Sequence, residues 1–349
     1  MPRRSEPAPR KSMSKSATKK RCIPAVICLL ALSFLTPAAA QKKETGRLLP
    51  VRQDGKWGYI SRTGELVIAP QFDDAWEFAE GLAYVKNGVK RGLIDRGGKL
   101  VVDLQQVDFV GPFFAEGLAP VQTGGRNPRR GFIDKSGRLV IAPQFDAVEN
   151  FENGLAVVMV DRKYGFIDKA GKVIIAPQFD KAFAFHEGLA LVVVGNRHGF
   201  IDKRGKIAIA PQFYNAFHFS EGLANVKIGE KYGYIDRSGK TVIAPRFDFT
   251  GSFSEGLGPI ILDNKFGYID KTGKVVIAPQ FDWTQGFSEG LAVVKLKGKY
   301  GYIDRTGALV IAPQFDNAWP FGDGLARIST GGRQGYIDKT GKYIWKPTK

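Results

Sequence analysis

The stretch KWGYISRTGELVIAPQFDDAWEFAEGLAYV, residues 56–85, decides the fold because most of it recurs along the chain. Its GYIS segment, at Gly58, returns as Gly, then an aromatic residue or Leu, then Ile and Asp, with the glycines at Gly92, Gly131, Gly165, Gly199, Gly233, Gly267, Gly301 and Gly335. The spacing is 34 residues, except for 39 between Gly92 and Gly131. A period of this length predicts a solenoid, a propeller or a similar array of repeats.

Each repeat has the pattern of β-strands. After EGL come short runs such as LAVVK (291–295), then a polar stretch, then YGYID, a turn and VVIAP. Runs of four to six residues rich in Val, Ile, Tyr and Phe predict strands, and no window has a helical apolar period. The turns DKTG (270–273) and DRSG (236–239) place Asp first and Gly fourth, as type I turns prefer.

Both faces of these strands carry apolar residues. Position one past the Gly of EGL is Leu, position two is Ala or Gly, and position four is Val or Ile. Because alternate residues of a strand point to opposite faces, each sheet must lie between neighbouring sheets. We therefore interpret the recurrent Ala as a close approach of adjacent units.

The sequence predicts an all-β chain. The predicted body is a tandem array of about nine three-stranded antiparallel meanders over residues 47–346, stacked as a curved propeller-like or solenoid body. Because no unit is divided between the two ends, and about four to eight blades are usual in propellers, an open or spiral array is favoured. A closed β-propeller is the alternative.

Residues 56–85 resemble the WG-repeat family, also called KWG repeats, and the resemblance covers about residues 47–346. The Trp and Gly that give the family its name occur together once, as Trp57 and Gly58. The resemblance implies a binding module without general enzymatic activity, in a family that is mostly bacterial and often exported or surface-associated. It implies no catalytic or ligand residues.

Residues 1–40 have the order of a secretory signal peptide: a basic segment, an apolar run from Cys22 to Leu35, and a small-residue site before Gln41. We expect residues 41–349 to form the mature chain, as a single repeat domain without a transmembrane helix, in the periplasm, on the cell surface or secreted. Cleavage would remove both cysteines, and it would lower the formal net charge from +17 to +10. The mature chain would then have no disulfide and no thiolate metal site.

No catalytic, cofactor or metal site is predicted. The three histidines, His186, His198 and His218, fall at different phases of the repeat and lack a metal-ligand spacing. The recurring acids of the GYID and EGL segments could form a glycosidase pair, but an acid present in nearly every copy is better explained by turn capping. We predict that the aromatic residues Trp76, Phe183, Phe217, Trp283 and Trp319 of the connections are mostly buried.

The irregular spacing marks a candidate partner site. Of the five extra residues, two fall in the connection at 105–114 and three in the hairpin at 123–130, which carries Arg126, Arg129 and Arg130. Insertions concentrate on loops, binding residues are frequent there, and guanidinium groups suit carboxylate or phosphate partners. Neutral drift at a tolerant turn is the alternative reading.

The sequence favours an exported, non-enzymatic binding scaffold that engages a protein or an anionic envelope polymer. The other hypothesis is a carbohydrate-binding or carbohydrate-active protein that uses the connection aromatics. Nucleic acid is not an expected partner, because no nucleic-acid motif is present and export would separate the chain from it.

Overall fold

A computed structural model of the chain describes residues 46–105, 108–109, 114–123, 125 and 127–347. The predicted signal peptide lies outside these residues, as does Arg126. Among the described residues, no helix has the length and apolar character needed to cross a membrane.

The repeats fold into nine antiparallel sheets, here called blades 1 to 9. The strands of blades 1 to 3 are β1 (Leu49–Gln53), β2 (Lys56–Ile60), β3 (Leu66–Phe72); β4 (Asp74–Ala75), β5 (Ala83–Asn87), β6 (Lys90–Ile94), β7 (Leu100–Asp103); and β8 (Asp108–Phe109), β9 (Leu118–Gln122), β10 (Arg130–Asp134), β11 (Leu139–Phe145).

The strands of blades 4 to 6 are β12 (Ala147–Val148), β13 (Leu155–Val160), β14 (Lys163–Asp168), β15 (Val173–Phe179); β16 (Lys181–His186), β17 (Leu189–Val194), β18 (Arg197–Asp202), β19 (Ile207–Phe213); and β20 (Asn215–Ala216), β21 (Leu223–Ile228), β22 (Lys231–Asp236), β23 (Thr241–Phe247). The strands of blades 7 to 9 are β24 (Phe249–Thr250), β25 (Gly258–Leu262), β26 (Lys265–Ile269), β27 (Val275–Phe281); β28 (Trp283–Thr284), β29 (Leu291–Leu296), β30 (Lys299–Asp304), β31 (Leu309–Phe315); and β32 (Asn317–Ala318), β33 (Leu325–Thr330), β34 (Arg333–Asp338), β35 (Tyr343–Trp345).

The predicted all-β class and the nine units are confirmed, and each meander gains one short strand. In blades 2 to 9 a strand from the preceding connection, two residues long except for β16, pairs with the next strand and makes a four-stranded sheet. In blade 6, for example, Asn215 pairs with Lys227 and Ala216 with Val226. So short a strand has no apolar alternation from which it could be recognised.

The IAPQF segment is explained by a bulge in the last strand of the blade. Tyr59 pairs with Ile68 and Trp57 with Phe72, so two steps on one strand oppose four on the other. The extra residues include Pro70, which cannot donate to a ladder and is tolerated at bulges and edge strands. An edge strand that contains Pro and a bulge is also a poor template for pairing with another chain.

The core lies between the blades, as the two-sided apolar pattern predicts. One buried cluster joins Phe200, Ile209 and Phe213 of blade 5 to Ala224 and Ile235 of blade 6. The recurrent Ala is almost fully buried at each such interface, for example Ala190 and Ala224 at 0% exposure. Its small side chain lets the strands of adjacent blades approach closely.

The preference for an open array was wrong, because the array closes into a nine-bladed propeller. Leu49, Val51 and Ile60 of blade 1 form a buried cluster with Tyr336 of blade 9. The Tyr336 hydroxyl donates a hydrogen bond to the Pro50 carbonyl oxygen at 3.0 Å. The first and last blades close the ring by packing face to face, so no unit has to be divided between the chain ends.

Candidate functional site

The arginine-bearing hairpin of blade 3 is longer than the others, as predicted. Seven residues separate the paired Gln122 and Arg130, whereas four separate Lys86 and Arg91 of blade 2. Arg130 Nε donates to Gln122 Oε1 at 3.3 Å, and Arg129 forms an ion pair with Asp146. The structure therefore places two of the three candidate arginines in contacts within this chain.

The ion pair of Arg129 belongs to a set that recurs around the ring. A basic residue at the start of the second strand of the meander pairs with an Asp 17 positions later in Lys56–Asp73, Lys163–Asp180, Lys231–Asp248, Lys265–Asp282 and Lys299–Asp316, with distances of 2.5–2.6 Å. Arg129 takes the same place in blade 3, so its charge has a structural partner. Its role in partner binding remains a prediction.

The Asp of each GYID segment caps its own turn. In blade 6, Asp236 Oδ1 accepts hydrogen bonds from the backbone N–H groups of Ser238 and Lys240 and from the Ser238 hydroxyl. The hydroxyl contact lowers the pKa of Asp236, and the two N–H groups lower it further. This carboxylate is thus held in its ionised form by the turn.

The Glu of EGL has a longer-range role than the predicted local capping. The Glu116 carboxylate accepts from the backbone N–H of Gly154, in the next unit, at 3.1 and 3.2 Å. It also pairs with Lys169, from the unit after that, at 2.9 Å. The hydrogen bond from Lys169 lowers the pKa of Glu116, and the Gly154 N–H adds to that shift. These glutamates therefore connect three successive units.

Because these carboxyl groups have lowered pKa values in the folded chain, we expect acid to destabilise it. Their contribution to stability is present above the unfolded values, 3.8 for Asp and 4.5 for Glu, and is lost as the pH falls below them. Burial lowers the pKa of His218, so a smaller loss should begin below its unfolded value of 6.5.

Urea unfolding at pH 7, 5.5 and 3.5 tests this expectation, with Glu116→Gln as the matched variant. The variant should lose less stability than the parent chain between pH 5.5 and 3.5. Equal stability of the parent chain at pH 5.5 and 3.5 would contradict the role assigned to the carboxylates.

Two histidines that are separated in repeat phase meet in the fold. The rings of His186 and His218 stack with centroids 4.2 Å apart, and His186 Nδ1 lies 3.4 Å from Glu152 Oε1. Sequence phase alone did not predict this contact. Among the described residues, no group of three or more His, Cys, Asp and Glu side chains is arranged to hold a metal ion.

The connection aromatics divide into two rows. The second aromatic of each connection is mostly buried and packs on the ring of the preceding unit, as Phe219 does on Phe200 with centroids 4.8 Å apart. The first row is less buried than predicted, since Phe183 is 40% exposed and Trp76, Phe217 and Trp319 are half-buried. Trp283, which is offset from this row, is also half-buried. Of these rings, Trp319 lines a pocket.

The pocket lies where blade 9 meets blade 1 and has a volume of about 310 Å³. We call it the junction pocket, and it is lined by Arg47, Leu49, Glu77, Trp319, Pro320, Phe321, Gly322, Leu325, Arg327 and Tyr336. At the other junctions a connection packs between the blades, and its backbone accepts the tyrosine hydroxyl, as Gly251 does from Tyr234 at 2.7 Å. At the closing junction Tyr336 bonds to a strand residue instead.

Two arginines enter the junction pocket with different partners. Arg47 pairs with Glu77 at 2.6 Å and lies 3.6 Å from Asp323. Burial opposes the charge of Arg47, but the hydrogen bond and charge of Glu77 outweigh it and raise the pKa of Arg47. The Arg327 guanidinium lies over the Trp319 ring, 4.2 Å from its centroid, in a cation–π contact. The lining thus combines a stacked cation, an ion pair and apolar walls.

Sequence reasoning missed the junction pocket, although one signal was present. The residue three positions past the Gly of EGL is Tyr84, Pro120, Val157, Leu191, Asn225, Pro259, Val293 or Arg327. Arg327 is the one charged residue in this series. The other signal, Arg47, lies 280 positions away in the sequence, and closure of the ring was needed to bring the two together.

Comparison with known families gives one match over most of the chain. The model of the WG-containing repeat matches residues 57–90, 92–126, 131–164, 164–197, 199–232, 232–266, 266–300 and 300–333. Each match begins in the second strand of one blade's meander and ends in the next blade, so eight matched repeats are consistent with nine sheets. No curated protein shows significant sequence similarity to this chain.

Solved structures share the fold at low sequence identity. A crystal structure of a eukaryotic initiation factor has a TM-score of 0.62 and 12% identity, over 85% of this chain and 94% of that chain. The dihydro-heme d1 dehydrogenase NirN has a TM-score of 0.43 and 12% identity, over 75% and 72%. Hsv2p of Kluyveromyces lactis has a TM-score of 0.38 and 12% identity, over 55% and 74%.

Proposed function

This chain belongs to the WG-containing repeat family, and from that premise we propose that it is an exported, non-enzymatic binding scaffold. The partner that fits it best is a protein or an anionic envelope polymer. The observation that carries the proposal is the junction pocket, because it breaks an otherwise regular ring with a cation, an indole ring and open volume. Concave sites with apolar walls and a few convergent polar groups are the usual form of ligand sites.

The state of the carboxylates supports binding over hydrolysis. Glycoside hydrolysis ordinarily needs two carboxyl groups that flank the scissile bond. Glu77 is the single carboxylate among the residues that line the junction pocket, and it is paired with Arg47. The recurring acids are held by backbone N–H groups and lysines, and their lowered pKa values make them poor general acids at neutral pH.

Export is the part of the proposal that rests on residues 1–40 alone. We expect the exported protein to begin at Gln41 and to contain no thiol, since Cys22 and Cys28 precede that residue. The intact mass of protein recovered from the envelope or medium tests this. A mass that includes residues 1–40, or a lipid adduct, would contradict it.

The binding role is tested by capture from envelope extract on the immobilised chain from Gln41 onward. We expect a protein or an acidic polymer to be retained, to survive nuclease treatment and to be released by salt, because the mature chain would carry a formal net charge of +10. Hydrolysis of an envelope glycan by the chain would favour the carbohydrate-active alternative instead.

The inserted hairpin is tested in the same assay. The triple variant Arg126→Ala, Arg129→Ala, Arg130→Ala should weaken capture and reduce its salt dependence. The matched control is Lys163→Ala, which removes the equivalent structural ion pair from blade 4 without changing the inserted hairpin. If the triple variant and the control capture equally well, the insertion has no part in binding.

A further inference from the structure

Arg327 occupies a position that faces an interface between blades. The equivalent residues Val157, Leu191 and Val293 are 2%, 5% and 1% exposed and belong to the interface clusters. At the closing junction the same strand position carries a guanidinium group instead. A charge at such a position costs free energy unless it finds a partner.

Within the described part of the chain, Arg327 has the indole ring of Trp319 and no carboxylate within ion-pair distance. The other polar groups of the junction pocket are already engaged. Glu77 is bound by Arg47 at 2.6 Å, and the Tyr336 hydroxyl donates to the Pro50 carbonyl at 3.0 Å. Arg327 is therefore the lining group with free hydrogen-bond donors.

The rest of the lining sets the size and polarity of a ligand. Leu49, Phe321, Leu325 and Pro320 supply apolar walls around the guanidinium. A volume of about 310 Å³ lies at the lower end of the range for ligand pockets, roughly 300–1,000 Å³. The space suits a small group rather than a segment of polymer.

We propose that the junction pocket binds a carboxylate carried on a small apolar group, with the Arg327 guanidinium as the carboxylate's partner. Stacking on Trp319 fixes the plane of the guanidinium and leaves its N–H fork for two parallel hydrogen bonds. The apolar group contacts Leu49, Phe321 and Leu325. This inference rests on the proposed binding function and adds the ligand class of the same site.

A carboxylate of this kind has two sources: a free small organic acid or the C-terminal residue of a peptide. N-acetyl-leucine and N-acetyl-leucinamide separate the requirement for the carboxylate, since the amide is matched in shape but uncharged. N-acetyl-Gly-Gly-Leu then separates the sources, because it presents the same carboxylate at the end of a chain. Isothermal titration of the full chain measures all three.

We expect N-acetyl-leucine to bind at least about tenfold more tightly than the amide, in line with the strength of charge-assisted hydrogen bonds. Tighter binding of the tripeptide would identify peptide termini as the source, and weaker binding would identify free acids. Equal binding of acid and amide, or no binding of any probe at millimolar concentration, would overturn the inference.

The variant Arg327→Val tests the role of the guanidinium, because blades 4 and 8 carry Val at this position. It should fold with unchanged or higher stability and lose about tenfold or more in affinity for N-acetyl-leucine. Arg327→Lys should recover part of that affinity, since it keeps the charge but not the fork. The control Arg333→Gln, on the exposed hairpin of blade 9, should bind like the parent chain.

Undiminished binding by Arg327→Val would refute the assignment. Capture of an envelope partner separates this failure from failure of the proposed function. If the parent chain and Arg327→Val capture the partner equally while no carboxylate probe binds, the scaffold function stands and the pocket assignment is wrong. If neither the partner nor any probe binds, both are wrong.

Discussion

Deletion of blade 9, residues 317–347, is expected to destabilise the whole ring rather than to shorten an array by one unit. The deletion removes two interfaces at once. It exposes Tyr302, Ile311 and Phe315 of blade 8, and Leu49 and Ile60 of blade 1, all of which are buried. At about 1.5–3 kcal/mol for each large apolar side chain, the loss is about 10 kcal/mol, comparable with the stability of an ordinary domain.

Urea unfolding of the deletion variant measures this effect. The matched control is a circular permutant in which a flexible linker joins Pro347 to Gly46 and new ends lie in the exposed hairpin at Gly229. Exposed loop tips tolerate such changes, so the permutant should keep most of the parent stability. A deletion variant that unfolds cooperatively near the parent midpoint would contradict the closed ring.

The second large effect is expected at the Gly of the GYID segments. A Cβ on Gly165 would lie 2.5 Å from the Ile175 carbonyl oxygen and 2.7 Å from the Pro177 nitrogen, which are backbone atoms of the bulged partner strand. Gly165→Ala should therefore force the two strands apart at the bulge and cost about 3 kcal/mol.

The control Gly222→Ala separates this clash from ordinary loss of a glycine. Gly222 has φ +85 and nothing within 4 Å of an added Cβ, so only left-handed strain of about 1 kcal/mol is expected. Denaturant midpoints of the two variants give the comparison. Equal losses, or a smaller loss for Gly165→Ala, would contradict the clash at the bulge.

Local features of the fold were predictable because their causes lie within one repeat. The capping of the DRSG turn by Asp236 depends on atoms two and four residues away. The two-sided burial of the strands follows from the side-chain alternation that places Ala224 and Val226 on one face. Such causes repeat with the sequence period and can be read from one copy.

Other features depend on distances between units that the sequence does not specify. Glu116 was assigned to its own turn, but its partners lie 38 and 53 residues further along the chain. Closure was not predicted because it needs no divided unit and no motif, only a fit between the two end faces. The junction pocket follows from closure, and its one sequence signal is the charged Arg327 in an otherwise uncharged series.

Closure of the ring is the central claim, and a cross-link between its two ends tests it most directly. Arg62 of blade 1 donates a hydrogen bond to the backbone carbonyl of Asp323, in the connection that enters blade 9's meander. The variant Arg62→Cys, Asp323→Cys is made in a chain with Cys22→Ser and Cys28→Ser, and the pair Arg62→Cys, Glu187→Cys serves as control. A short thiol-specific reagent at low protein concentration should give a nearly complete intramolecular cross-link for the first pair and none for the control. If both thiols of the first pair react singly and no intramolecular product forms, the ring is open.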